Sequence, residues 1–195
     1  MQNTVHSLFP AGVCLSQWNP HDLVLAEQIR EYCLATVKEV YGFDYREDWH
    51  RDLDSLLLGE ASDYAHGQRG CMLVLQNEKG EVIGTAGMRG LFWKPNMVEM
   101  FQERYGDCQQ VASNWRMYIR ADYRKQGMGK ILVTLREMAA IRYGYTRMYL
   151  HCDINAIRLR NHWEVLGFSN FCNEGQTAHY DKELSERMFE LKKAS

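Results

Sequence analysis

Arg124, Lys125, Gln126, Gly127, Met128 and Gly129 form a short polar run in which two basic side chains are followed by two glycines. Glycine permits a sharp bend and lets another molecule approach the backbone closely. Where such a run opens a helix, free N–H groups and the positive helix end meet at one point, which is what a pyrophosphate needs. Two other phosphate loops do not fit. A dinucleotide fingerprint requires a third glycine at a set spacing and an acidic residue on a following strand. A Walker loop requires a hydroxyl after its lysine, and here Gly129-Lys130 is followed by Ile131.

The flanking residues supply the elements that would position this loop. Before it, Trp115, Met117 and Ile119 alternate with Arg116, Tyr118 and Arg120, the period of a half-buried strand opening at Trp115. After it, Met128, Ile131, Leu132, Leu135, Ala139 and Arg142 recur at three- and four-residue spacing, the period of a helix with one apolar stripe.

Arg124-x-x-Gly127-x-Gly129, within the wider string from Tyr123 to Leu132, resembles the acyl-CoA-binding signature of the GNAT acetyltransferase superfamily. Asn155-Ala156-Ile157-Arg158-Leu159 and the ending Trp163-Glu164-Val165-Leu166-Gly167-Phe168 resemble the second GNAT signature, in the same order along the chain. The resemblance covers Cys71 to Asp181 well and the N-terminal helices less specifically. It implies an α/β (α+β) fold with a mixed, mostly antiparallel central sheet flanked by helices. Its two central strands would splay apart with the thioester between them. It further implies acetyl-CoA as co-substrate without a metal, and direct transfer of the acetyl group to a primary amine of a small molecule or peptide. Met117, Tyr118 and Ile119 would offer backbone groups to the pantetheine arm. Arg124, Lys125, Gln126, Gly127, Met128, Gly129 and Lys130 would hold the pyrophosphate, and Asn155 would contact the cofactor.

The chain departs from the family at two positions. Many relatives carry a tyrosine four residues before the glycine of the Gly-Phe turn as general acid, and Trp163 stands there in this sequence. An indole N–H is a donor without transferable acidity. Many also carry a glutamate at the start of the central strand, at a position corresponding to Ser113. The substitute proton carriers are His151, His162, Tyr180, and Glu99 or Glu103, with His162, His151 and Glu99 as the catalytic candidates. Two alternatives stay open: a noncatalytic acyl-CoA-binding or sensor domain, and an acyltransferase using an acyl carrier protein as donor.

Composition sets the frame. The 195 residues, 46% of them hydrophobic, suit one domain over 1–195. The six cysteines show neither a C-x-x-C pair nor metal-ligand spacing, and no apolar run near Met1 resembles a signal peptide, so a reduced cytoplasmic protein is expected. No apolar stretch is long enough to cross a bilayer. The net charge of -2 hides an asymmetry: residues 116–160 carry 10 Lys and Arg against 3 Asp and Glu, whereas residues 1–115 carry 9 against 16. A basic block around the loop favours an anionic cofactor. Nucleic acid is not the expected partner, because the block lacks a recognition motif.

In chain order, Ala11 to Gln17 reads as a first strand. Asn19-Pro20 reads as a helix cap and first position, with apolar residues at helical spacing from Ala26 to Val40 and Gly42 as the stop. Asp44 to Leu57 suggests a second short helix. Its Asp48, His50, Asp52 and Asp54 spread around the axis, so a solvated face is expected rather than a metal site. Cys71 to Gln76 and Glu81 to Met88 form a hairpin across Asn77-Glu78-Lys79-Gly80. The interruption from Arg89 to Ser113, with a short helix around Met97 to Arg104, is assigned to substrate recognition. A strand from Thr146 to Cys152, a helix from Asn155 to Leu166 and a hairpin of Phe168 to Cys172 with Gln176 to Asp181 come next, then a polar helix from Lys182. A C-terminal strand at the sheet edge is compatible with a homodimer.

Overall fold

The computed structural model describes residues 9–185. Its main helices and strands are β1 (Cys14–Gln17), α1 (Leu23–Tyr41), α2 (Glu47–Ser55), β2 (Cys71–Gln76), β3 (Val82–Gly90), α3 (Pro95–Met100), α4 (Gln102–Tyr105), β4 (Val111–Ile119), α5 (Met128–Arg142), β5 (Arg147–Asp153), α6 (Ile157–Val165), β6 (Ser169–Glu174) and β7 (Thr177–Glu183). The strands form one sheet in the order β1-β2-β3-β4-β5-β7-β6. The β1–β2, β2–β3, β5–β7 and β6–β7 ladders are antiparallel, and the β4–β5 ladder is parallel over three residue pairs, Val111–Ser113 opposite Arg147–Tyr149. The architecture is therefore the expected mixed, mostly antiparallel sheet flanked by helices.

The chain divides into two compact units. The first contains the residues up to Arg89 together with Trp115–Arg136. Its organising element is β2, whose unbroken apolar run is buried on both faces, as such runs usually are. Met72 and Val74 pack with Ile29 and Cys33 of α1, Leu53 of α2 and Leu56 just beyond it, while Leu73 and Leu75 pack with Met128 and Leu132 of α5. Alternation along one strand thus assigns α1 and α2 to one face and α5 to the other.

The second unit contains Gly90–Asn114 and the residues from Glu137 onward. Leu91, Phe101, Cys108, Val111 and Tyr149 form its core, with Tyr105 and Phe171 packed against them. Asp181 of β7 pins α4: Arg104 donates to it at 2.9 and 3.2 Å, Tyr105 Oη donates at 2.6 Å, and Arg147 lies 3.2 Å away.

Several sequence expectations change. The cap of α1 is Asp22, whose carboxylate accepts from the Leu25 N–H at 2.9 Å; Asn19 instead shapes the turn before it, and Gly42 ends the helix in the left-handed conformation as expected. β1 is shorter than Ala11 to Gln17. The second helix covers Glu47–Ser55 and tightens into a 3-10 segment over Leu56–Ala61. The expected solvated face holds only in part: Asp48 is exposed and Asp54 half-buried, but His50 and Asp52 are buried. The central strand starts at Val111 rather than Trp115, and Val111 to Asn114, buried on both faces, carry no alternation that could reveal it. The interruption contains two short helices, α3 and α4, split at Phe101. α6 starts at Ile157, leaving Asn155 in the preceding turn. Lys182 and Glu183 extend β7 instead of opening a helix. Lys182 Nζ donates to the buried Glu137 carboxylate at 2.5 Å and to Leu166 O at 2.9 Å. Leu184 and Ser185 are not helical either, and the remainder of the expected C-terminal helix lies outside the described residues.

Candidate functional site

The polar loop sits in the first unit at the junction of β4 and α5. A 3-10 turn over Ala121–Tyr123 follows β4, with Arg120 gripping Asp122 through two hydrogen bonds of 2.9 and 3.0 Å. Arg124 Nε donates to Ile119 O at 2.6 Å, folding the loop against the strand end. Lys125 and Gly127 then adopt φ of 63° and 80°, in the left-handed region that coils the chain tightly. The first N–H groups to enter the α5 ladder are those of Lys130 and Ile131, which donate to Gly127 O. Those of Gly127, Met128 and Gly129 precede the ladder, as the leading donors of a helix must. Met128 is buried among Leu73, Leu75 and Leu132 and anchors the helix start, while Arg124, Lys125, Gln126, Gly127 and Lys130 are exposed. Apart from its chain neighbours, no described residue comes within 4 Å of a Cβ placed on Gly127. An exposed, positively charged cradle with a bare backbone fits a pyrophosphate.

The strand that leads into the loop is not regular. Arg116 has φ of 47°, and the alternation read from the sequence breaks there. Met117 and Ile119 pack with the α5 cluster as expected, but Trp115 joins Tyr118 on the α1–α2 face. Two residues rather than one separate Trp115 from Tyr118 on the same face, which is the mark of a β-bulge. Arg136, fully buried on α5, donates to Gly87 O at 3.1 Å and reaches Met117 Sδ at 2.8 Å, fixing that side chain.

Beneath the bulge lies a layer of buried charge that sequence reasoning missed. Asp52 accepts from Arg116 Nε at 2.8 Å, from a second Arg116 nitrogen at 2.6 Å and from Tyr64 Oη at 2.6 Å. Burial alone would raise the Asp52 carboxyl, but the hydrogen bonds and charge of Arg116 outweigh it and hold the group well below the usual carboxylate range. Buried Arg89 forms a second pair with the partly buried Asp63, where burial wins and pushes the carboxyl up. Burial also pushes Tyr118 and Tyr32 up to about 12. One signal for Asp52 was present: Trp49, Asp52, Leu53 and Leu56 share one helical face, so Asp52 lies on the apolar stripe.

The proton-carrying candidates lie in the second unit, each with its own neighbours. His151 is exposed at the end of β5, with its Nδ1 3.4 Å from Tyr149 Oη. The same hydroxyl lies 2.7 Å from Nδ1 of buried His179, a residue the sequence did not single out. Burial pushes Tyr149 far up and His179 down, so both are neutral near pH 7. His162 is half-buried with its ring centroid 5.4 Å from that of Trp163, and burial lowers its pKa. Trp163 stacks edge-on to Phe168, and its Nε1 is buried with no hydrogen-bond partner among the described residues. Ser113 Oγ and both amide atoms of Asn114 are equally unpartnered and buried. Glu99 lines an open groove of about 440 Å³ with Phe92, Val98 and Asp107. Glu103 lies in the first turn of α4. Tyr180 is committed to its neighbours, accepting from Arg160 at 2.8 Å and donating to Glu164 at 3.2 Å. The Asn155 amide donates to Gln176 at 3.0 Å.

The sequence profile of the "Acetyltransferase (GNAT) family" matches residues 34–168, and the chain belongs to that family. The fold agrees with solved members. A GNAT-family acetyltransferase from Staphylococcus aureus superposes with a TM-score of 0.67 at 16% identity, covering 89% of this chain and 99% of its own. The paia N-acetyltransferase of Thermoplasma acidophilum, solved in complex with coenzyme A, gives 0.58 at 17% identity, covering 88% and 98%. The putative acetyltransferase yncA of Salmonella typhimurium, solved with its cofactor acetyl-CoA, gives 0.59 at 17% identity, covering 90% and 95%. No curated protein matches the chain. Among the described residues no helix is long and apolar enough to cross a membrane.

Proposed function

We propose that the chain works as one domain that transfers acetyl from acetyl-CoA directly to a primary amine of a small molecule or peptide. The observation that carries this reading is the cradle at Arg124 to Lys130, where exposed cations and the leading N–H groups of α5 converge on a bare glycine. Arg124, Lys125 and Lys130 would neutralise the pyrophosphate, and the Gly127, Met128 and Gly129 N–H groups would donate to it. Backbone groups of Met117, Tyr118 and Ile119 would receive the pantetheine arm, and Asn155 remains a proposed further contact.

The transfer itself requires a neutral amine nitrogen to attack the thioester carbon, donors for the charge that builds on the carbonyl oxygen, and a proton for the departing thiolate. His151, coupled through Tyr149 to His179, and His162 are the groups we assign to proton movement, with Glu99 as the carboxylate alternative. Thiolate is a good leaving group, with a thiol pKa of about 8.5, so acid assistance need contribute no more than roughly a hundredfold. The amine would shed its proton before attack.

A noncatalytic acyl-CoA-binding domain is the second reading, favoured by one observation: Trp163, in place of an acidic hydroxyl, is buried against Phe168 and can donate no proton to a thiolate. One experiment separates the two. Purified protein is incubated with acetyl-CoA and a panel of polyamines, aminoglycosides, lysine peptides and peptide N-termini, and free thiol is measured. Amine-dependent CoA release supports the transferase; tight CoA binding without release by any amine supports the binding domain.

A further inference from the structure

Left-handed backbone in mid-strand is uncommon for any residue with a side chain, and it persists only where the surroundings over-determine it. At Arg116 they do. The guanidinium is held by Asp52 through two hydrogen bonds of 2.8 and 2.6 Å and by Trp49 O at 2.6 Å, all from α2. The Arg116 carbonyl accepts from Thr85 Oγ1 of β3 at 2.8 Å. Tyr64 Oη closes the set on Asp52 at 2.6 Å. The two charged side chains are only 8% and 2% exposed, so water cannot replace either partner. The next residue along the strand is Met117, the first of those assigned to the pantetheine arm.

We propose that Asp52 is a positioning residue for acetyl transfer: by clamping Arg116 it fixes the left-handed turn of β4 and so aims the main-chain groups of Met117 at the acyl thioester. The inference rests on the reading that β4 receives the pantetheine arm. A bulge re-aims one peptide of a strand, and a donor that develops its bond in the transition state loses most of its value when misdirected by a fraction of an ångström. The phosphates, by contrast, are held at the loop, where Asp52 has no contact. Loss of the clamp therefore separates turnover from affinity.

The test is Asp52→Asn, assayed below its melting temperature with acetyl-CoA and the best amine found, alongside calorimetric titration with CoA. The expected result is a fall in kcat of about tenfold or more with the CoA Kd within about threefold of wild type. A kcat within about threefold of wild type, or kcat and CoA affinity falling together, overturns the proposal and leaves the pair as a tether between α2 and β4. Two further variants carry the question even where Asp52→Asn does not fold, because neither leaves an unpaired charge: Asp52→Asn/Arg116→Gly and Asp52→Asn/Arg116→Ala. Glycine adopts positive φ freely and alanine does not, so the glycine form should turn over about tenfold faster than the alanine form; equal rates overturn the proposal. Wild-type protein that binds CoA but releases none with any amine would instead overturn the transferase reading itself, and this inference with it.

Discussion

The loop after β4 and the clamp beneath β4 belong to the same unit and serve the same strand, yet they are built in opposite ways. The loop is local, exposed and cationic: residues 124–130 adjoin in sequence, and their charges face solvent. The clamp is distant, buried and electrically balanced: Asp52 and Arg116 stand 64 residues apart, and each is nearly excluded from water. An exposed cationic cradle is suited to capturing an anion from solution, where flexible charges in high dielectric cost little to hold apart. A buried pair attracts no ligand. It holds geometry, and it makes either partner hard to remove alone.

That contrast predicts a division of labour, and the sharpest way to break it is Arg116→Ala. An uncompensated Asp52 would remain buried, so unfolding in urea should show a loss of about 3–5 kcal/mol, whereas Arg124→Ala at the exposed loop should leave the unfolding midpoint nearly unchanged. The clamp also has a pH signature. The folded carboxyl of Asp52 lies below its unfolded value of about 3.9. Its contribution is therefore fully present above that pH and lost as pH falls through the folded value. Acid unfolding of an Asp52→Asn variant should be shallower than that of the parent below about pH 4, and identical slopes would remove the charge from the account.

Next in size is the loop. Arg124→Ala should weaken CoA by roughly ten- to a hundredfold while leaving a pantetheine thioester, which lacks the pyrophosphate, nearly unaffected. Equal losses for both ligands would reduce Arg124 to its bond with Ile119 O. The histidines come third: His151→Ala or His162→Ala should lower kcat about tenfold to a hundredfold for whichever carries the proton and remove a limb of the pH profile, which for His162 should lie below the usual imidazole range because the ring is partly buried. Unchanged profiles in both would leave solvent or Glu99. The smallest effect is expected for Trp163→Phe, which keeps an aromatic ring against Phe168 and loses part of the indole together with a buried N–H that has no partner among the described residues, so most activity should remain.

The same contrast explains what the sequence could reveal. The loop was legible because its glycines, cations and flanking periods lie within one stretch from Trp115 to Arg142, and local patterns survive without knowledge of the fold. The sheet's composition was legible too, since hairpins such as Cys71 to Met88 announce themselves through a turn tetrapeptide. Interactions between distant segments were not. Val111 to Asn114 could not be recognised as strand because burial on both faces erases alternation, and the bulge could not be seen because Trp115, Met117 and Ile119 alternate in type whatever the backbone does at Arg116. Asp52 was read as solvated from its charge, although its place on the stripe of Trp49, Leu53 and Leu56 argued otherwise. His179 went unnoticed because a single histidine in a strand has no spacing to test, and only the fold brings Tyr149 to it.

The bare backbone at Gly127 is the proposed seat of the pyrophosphate of an acyl-CoA. Calorimetric titration of CoA into wild type, Gly127→Ala and Gly127→Glu tests it most directly, with circular dichroism to establish that each is folded. Both substitutions strain the same left-handed position, φ 80°, but only glutamate adds a negative charge at the proposed phosphate seat. Wild type should bind tightly, alanine should bring a modest loss, and glutamate should leave no measurable binding. A folded Gly127→Glu protein that binds CoA as tightly as the parent would contradict that assignment.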